Sequence, residues 1–404
     1  MTPAASLGIP TILFGACDRH NFGDLLFPHI AAAMLAPARL HYAGLARRDL
    51  RGYGGHSVCA LAQLAASRGA RPLNLIHVGG ELLTCDAWQA AVMLLAPQQA
   101  QAIAVRFDGQ PPARQAWAHA QLGSAARAPY CAPSLPAAQV FYNAVGGVAL
   151  DLCEAGLRAE VVAKLKAATD VSVRERHTQA LLDAAGVASR LLPDPAVMVA
   201  ELFGGRIEHR ARHGELARLL AACPQGYLAL QFSSDFGDDR SLTNIAAQLD
   251  QFARASGLAV VFFRAGAAPW HDDLQCYRRT AARMRASAVH IFQSLNLWDI
   301  CALLAHSRAY CGSSLHGRIV ATAYAKPRLN IQTAEQAMRV SKQSAYAATW
   351  EAPGAPAVVT VQDLAEGMRL AMAADGAQSR HTAAELTRLY RQGFAPLRAA
   401  VERA

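Results

Sequence analysis

Short runs of apolar and β-branched residues recur along this chain, each followed by a Gly- or Ser-containing turn and an amphipathic stretch of helical period. In the first half the runs are TILFG (11–15), LNLIHVGG (73–80), QVFYNAVGG (139–147), DVSVRE (170–175) and RLLPDP (190–195). Helical stretches such as Leu25–Leu35, Val58–Ser67 and Thr178–Ala185 fall between them. The second half carries YLALQFS (227–233), LAVVFFRAG (258–266), AVHIFQ (288–293), RAYCGSS (308–314) and RLNIQ (328–332). Helical patterns at about 242–256, 272–286, 297–306, 315–325 and 334–345 separate these runs. Strands that are apolar throughout and alternate with helices predict parallel sheets covered on both faces. Two such series in tandem read as an α/β chain of two Rossmann-like domains facing across a cleft.

Breaks in the pattern set the boundaries. Residues 201–225, rich in Gly, Arg and His, read as the least regular part of the join. They divide a first domain at 1–200 from a second at 222–375, and leave 376–404 as a helical tail expected to pack back on the first domain. The helix of that tail, about 382–401, is expected to be interrupted by Gly393 and Pro396. Residues 107–136, with Pro111, Pro112, Pro129, Pro133 and Pro136, read as an irregular excursion.

Composition narrows the class. With 53% apolar and 17% charged residues, the 404-residue chain can bury sizeable cores. No run of about 18 uncharged apolar residues occurs, so no transmembrane segment is expected. The apolar start from Leu7 to Cys17 has no Lys or Arg ahead of it and reads as a strand rather than a lipoprotein leader, which predicts a cytoplasmic protein. Nine scattered cysteines, never in C-x-x-C spacing, read as small buried hydrophobes and predict neither a disulfide framework nor a metal site. The net charge is +9, yet no basic run of five residues exists, so nucleic acid is not an expected partner. Only four of the 39 basic residues are Lys. The arginines have the planar fork that suits carboxylate and phosphate.

Chemistry concentrates at strand ends. In CGSSLHGRIVATAYAKP (311–327), Ser313 or Ser314 is a good N-cap, which would leave the N–H groups of Leu315, His316 and Gly317 facing the cleft. A helix N-terminus at the carboxyl edge of a parallel sheet is an anion site, and His316 and Arg318 in its first turns suit a phosphate or carboxylate; a plain cap with a packed His is the alternative. From Gly312 to Ala334 there is no Asp or Glu to hold a ribose. Arg174, at the end of VSVR, would clamp a carboxylate or else pair with Glu175. Asp194, between two prolines, is either a helix cap or a catalyst. In the first domain Asn21, Gly23 and Asp24 run straight from a loop into a helix, without a G-x-G-x-x-G fingerprint. Asp24 is a general base or a cap. Gly79 and Gly80 permit close backbone approach to a ligand, Glu81 is a second base candidate, and Asn143 ends another strand before Gly146 and Gly147.

These elements together resemble the polysaccharide pyruvyl transferase family. NFGD (21–24), Gly79–Gly80, SVRER (172–176), PDP (193–195) and GSSLHGRIVATAYAKP (312–327) carry the resemblance, in the family's order, over residues 11–332. It implies a glycosyltransferase GT-B-like fold and a transferase that moves a pyruvyl group from phosphoenolpyruvate to a sugar or glycan precursor, with no other cofactor. It also implies that Arg174, Leu315 and His316 hold phosphoenolpyruvate. On that reading Arg174 takes one anionic group of the donor, the 314–317 helix end with His316 takes the other, and Asp24 or Glu81 deprotonates the sugar hydroxyl. The chain departs from the family where Arg19 and His20 precede NFGD, and in the YNAVGGVAL turn, both on the acceptor side. Two other readings fit the same residues: a nucleotide-sugar glycosyltransferase, and a noncatalytic sugar- or polyanion-binding protein of the same fold.

Overall fold

The computed structural model describes residues 9–36, 38–68, 72–131, 139–285, 288–354 and 357–403. Its apolar runs build two sheets. The first contains β1 (Thr11–Phe14), β2 (Leu40–Gly44), β3 (Arg48–Asp49), β4 (Ser57–Ala60), β5 (Asn74–His77), β6 (Gln139–Val145), β7 (Asp170–Val173) and β8 (Arg190–Leu191). The second contains β9 (Tyr227–Gln231), β10 (Ala259–Phe262), β11 (Val289–Ile291), β12 (Ala309–Gly312), β13 (Arg328–Gln332) and β14 (Val358–Thr360). Their spatial orders are β3-β4-β2-β1-β5-β6-β7-β8 and β11-β10-β9-β12-β13-β14. All pairs are parallel except β3 with β4. Each sheet is thus doubly wound, with its order reversing between β1 and β5 and between β9 and β12. Ligands of such sheets bind at these reversals, beyond the carboxyl ends of the strands.

Register aligns those ends. Phe14 lies level with Ala43 and His77 in the first sheet, and Gly312 with Gln231 and Asn330 in the second. The loops that follow meet across the cleft: Phe22 N–H donates to Ala265 O at 2.8 Å, and Asn21 forms a lone antiparallel bridge with Gly266. Beneath them one apolar cluster crosses between the domains. It joins Leu26, Phe27 and Ile30 to Trp298, Leu304 and Ile319, and takes in Tyr390 of the last helix. The cleft floor is therefore core, and the loops above it are held at fixed spacing.

Several local expectations change. Residues 201–225 form two helices, Val199–Ala211 and Gly214–Ala222, because Phe203 and Ile207 gain apolar cover and Arg206 lies over the Trp298 ring at 4.1 Å. Pro111 and Pro112 start the Pro111–Leu122 helix, where a missing N–H costs nothing, so that part of the excursion is regular. Pro133 and Pro136 lie outside the described residues. The Val58–Ser67 stretch splits into β4 and a helix from Leu61, and β2, β4 and β14 have strand pairings that short, half-polar runs concealed. The last helix runs unbroken from Gly376 to Arg403 through Pro396. Its Leu386, Tyr390, Phe394, Leu397 and Val401 are buried on one face, and Arg190 Nη1 donates to Gly393 O at 2.8 Å, so tertiary contacts outweigh the two breakers. Among the described residues no helix is long and apolar enough to cross a membrane.

Candidate functional site

Between the two sheets lies a cavity of about 530 Å³. The first domain lines it with Arg19, Asn21, Asp24, Glu81 and Arg174, the second with Gln231, Trp270, His271, Asp272, Ser313, Ser314, Leu315, His316 and Lys342.

The second-domain wall is the helix Leu315–Ala323. Ser314 caps it, its side chain accepting from Gly317 N–H at 3.2 Å, while Arg318 N–H closes on Ser314 O. This leaves the Leu315 and His316 N–H groups at the open end, where the helix dipole favours an anion. The turn before the helix is braced: Gln231 Oε1 accepts from Ser314 N–H at 2.8 Å, and Asn330 Nδ2 donates to Gly312 O at 2.6 Å. Gly317 is needed here, since a Cβ would come within 2.4 Å of the Tyr310 ring that supports the turn.

His316 is gripped from the other domain. Its ring lies edge-on to Phe27, with centroids 5.0 Å apart, and a Cβ on Gly23 would fall 2.0 Å from its Nδ1. Gly23 therefore lies off the cavity wall and admits the imidazole. The His316 Nε2 stands 3.7 Å from Asp194 Oδ2, an ion-pair distance too long for a hydrogen bond. Asp194 does cap the following turn, its Oδ1 accepting from Ala196 N–H at 2.9 Å, while the same Oδ2 that faces His316 accepts from Arg174 Nη1 at 3.2 Å. Burial pushes the Asp194 carboxyl up, but His316, Arg174 and the Ala196 N–H outweigh it and hold it below the usual carboxylate range.

Arg174 is not the free clamp expected. It is 1% exposed, with Glu81 on Nη2 at 2.5 Å, Asp194 on Nη1, and Glu175 3.5 Å from Nε. An arginine buried where two domains close must be compensated, and here three carboxylates surround it. Burial favours losing its proton, but Glu81, Asp194 and Glu175 win and keep it charged. Glu175 gains less: burial, reinforced by Glu81, lifts it to about 7.

On the first-domain side Asn21 caps the Phe22–Leu35 helix, accepting from Gly23 N–H at 3.1 Å, which leaves Asp24 in the first turn facing the cavity. Other candidates lie elsewhere. Gly79 and Gly80 do not line the cavity; they take positive φ and let the Phe27 ring approach. Asn143 is buried and donates to Tyr390 OH at 2.8 Å, in the seat of the last helix. Arg318 is fully buried on Glu351, and Gly317 is turned to Tyr310.

The cavity also holds residues that sequence reasoning passed over. Arg19 donates through Nη1 to Tyr130 OH at 2.7 Å and leaves Nε without a partner. Asp272, lifted by burial to about 7, accepts from Ala265 N–H at 2.6 Å and Gln231 Nε2 at 2.7 Å. His271 Nε2 lies 3.1 Å from Asn21 Nδ2 across the cleft. Lys342 was legible only as one of four lysines.

Residues 117–333 match the family model described as polysaccharide pyruvyl transferase. The chain belongs to that family. The matched span carries Arg174, Asp194 and His316, and begins after the first-domain loops with Asn21, Asp24 and Glu81. No curated protein sequence matches the chain. Among solved structures it is similar to the UDP-N-acetylglucosamine 2-epimerase of Rickettsia bellii, at 9% identity and TM-score 0.56, covering 98% of each chain. It is also similar to the Methanocaldococcus jannaschii UDP-GlcNAc 2-epimerase in complex with UDP-GlcNAc and UDP, at 9% identity and TM-score 0.53 over 91% of this chain and 94% of that one. A third is Anabaena Alr3699/HepE in complex with UDP-glucose, at 11% identity and TM-score 0.51 over 96% and 99%. These likenesses show the fold, two Rossmann-like domains in the GT-B arrangement.

Proposed function

We propose that this transferase moves a pyruvyl group from phosphoenolpyruvate to hydroxyls of a sugar in a polysaccharide or glycan precursor, forming a pyruvate ketal. The observation that carries the reading is the line Arg174–Asp194–His316 running up to the open N-terminus of the Leu315–Ala323 helix. It joins an anion site to an imidazole held by Phe27 and Gly23 within ion-pair distance of a buried carboxylate, an arrangement suited to general acid–base work.

The donor phosphate sits at the Leu315 and His316 N–H groups beside Ser313 and Ser314. Its carboxylate exchanges with Glu81 on Arg174 Nη2, which frees Glu81, with Asp24, to take the proton of the sugar hydroxyl. A proton delivered from His316 to the methylene carbon leaves a cation at the phosphate-bearing carbon, and the hydroxyl oxygen bonds there. Loss of phosphate regenerates the cation, and a second hydroxyl of the same sugar closes the ketal. Protons from both hydroxyls balance the one used at the methyl group and the one leaving with phosphate. A donor of central metabolism fits a cytoplasmic site for the reaction.

The decisive experiment titrates purified protein with phosphoenolpyruvate and, separately, with UDP-sugars, and follows phosphate release with a panel of acceptors. Phosphate release with ketal formed by wild type, and at least about a hundredfold slower turnover in His316→Ala, is expected. Binding of UDP-sugar without phosphoenolpyruvate turnover, or full activity of His316→Ala, overturns the assignment.

A further inference from the structure

None of these steps uses the largest side chain in the cleft. Trp270 lines the cavity from the second-domain side and is 43% exposed. Its backbone has φ +62°, in the left-handed region. Among the described residues glycine holds ten positive-φ positions and alanine two; Trp270 is the one bulky residue. Such a conformation is strained in a residue with a large Cβ substituent, and it persists only where the surroundings impose it.

They do so from both domains. Ala267 and Ala268 N–H donate to His20 O at 3.1 and 3.2 Å, so the first domain holds the start of the turn. His271 N–H returns to Ala268 O at 3.2 Å, and the half-buried Asp272 carboxylate takes the Ala265 and Gly266 N–H groups. Glycine would relieve the turn at this position and would also spare water an exposed indole. Two costs fall on one residue, at the edge of a polar cavity.

An indole offers a wide apolar face with a single N–H at its rim, and it is stiff enough to hold a partner without large entropy loss. The complementary surface is the C–H face of a pyranose ring, whose hydroxyls point outward. We infer that Trp270 is the platform on which the acceptor sugar stacks. The adjacent His271 touches Asn21, so a ring seated on the indole presents its hydroxyls to the first-domain edge that carries Asp24. The term acceptor rests on the pyruvyl-transfer reading; the sugar contact itself does not.

The test uses Trp270→Ala, Trp270→Phe and Trp270→Gly in the full chain. Trp270→Ala raises the acceptor KM about tenfold, leaves the phosphoenolpyruvate KM and kcat within about twofold, and Trp270→Phe restores most of the loss. Trp270→Gly melts above Trp270→Ala because strain is relieved, yet regains no acceptor affinity. Independently of turnover, a panel of methyl glycosides quenches tryptophan emission in wild type and fails to do so in Trp270→Phe. A sugar response in wild type with no turnover of phosphoenolpyruvate would retain the platform and reject the donor. Identical glycoside responses in wild type and Trp270→Phe, or an acceptor KM unchanged in Trp270→Ala, overturn the platform.

Discussion

Arg174 and Arg318 are 1% and 0% exposed, one directly after β7 in the first domain, the other in the first turns of the Leu315–Ala323 helix in the second. Arg318 grips Glu351 with both arms, at 2.7 and 2.6 Å, and gives Nη1 to Ala357 O at 2.8 Å. Arg328 shares the same carboxylate at 3.0 Å, and the two guanidiniums hold Glu351 below its usual range although burial opposes this. Around Arg174 the ratio is inverted, with three carboxylates on one guanidinium. Arg174 Nε, Glu175 Oε2 and His316 Nε2 are buried there without hydrogen-bond partners. A buried polar network that is fully satisfied stiffens a fold. One left incomplete beside a cavity keeps capacity for a ligand, and burial by itself does not tell the two apart.

The comparison can be broken from either end. The largest effect is expected at the structural pole. Arg318→Met should cost about 3–5 kcal/mol of unfolding free energy, read by urea titration, while the folded fraction keeps its donor KM. A loss of donor affinity without loss of stability would put Arg318 back in the site.

At the other pole, Arg174→Lys keeps the charge and loses the fork. The donor KM should rise about ten- to a hundredfold, equivalent to 1.5–3 kcal/mol, when phosphoenolpyruvate is varied at saturating acceptor. If that KM holds and only the melting temperature falls, Arg174 is a second Arg318.

The smallest effect sharpens the surplus of carboxylates. Burial lifts Glu175 to about 7 from the ordinary 4.5, so the folded protein holds a proton that the unfolded chain has lost. Stability therefore falls as pH rises through that window. Glu175→Gln cannot ionise, and should melt a few °C above wild type at pH 8 and level with it at pH 5, in paired thermal scans. A lower melting temperature at pH 8 would mean that Arg174 needs all three partners.

Much of this was readable along the chain. Strands apolar on both faces can only be buried on both faces, so the runs predicted two parallel sheets, and the Ser-Ser-Leu-His-Gly element announced a capped helix end at a strand terminus. Failures fell where signals were weak or where packing overruled them. β4 alternates exposed and buried residues at the side of its sheet, and Pro396 sits inside a helix held by Tyr390, Phe394 and Leu397. In the site, Arg19, His271 and Asp272 carry no pattern of their own, because their roles come from loops that meet only across the cleft.

The sequence by itself determined the α/β class, the doubling of the domain and the residue types at the strand ends, since these follow from local periodicity and turn chemistry. Only the tertiary structure decided which of those residues face the cavity. Asn143 and Arg318 looked like site residues and were drawn into the core. Gly23 became the socket for His316, and Arg174 acquired its partners Glu81 and Asp194 from segments 93 and 20 residues away. The physical reason is that a buried charge takes its meaning from what surrounds it. Those surroundings are assembled by apolar contacts between segments distant in sequence, whose pairing no local window of residues contains.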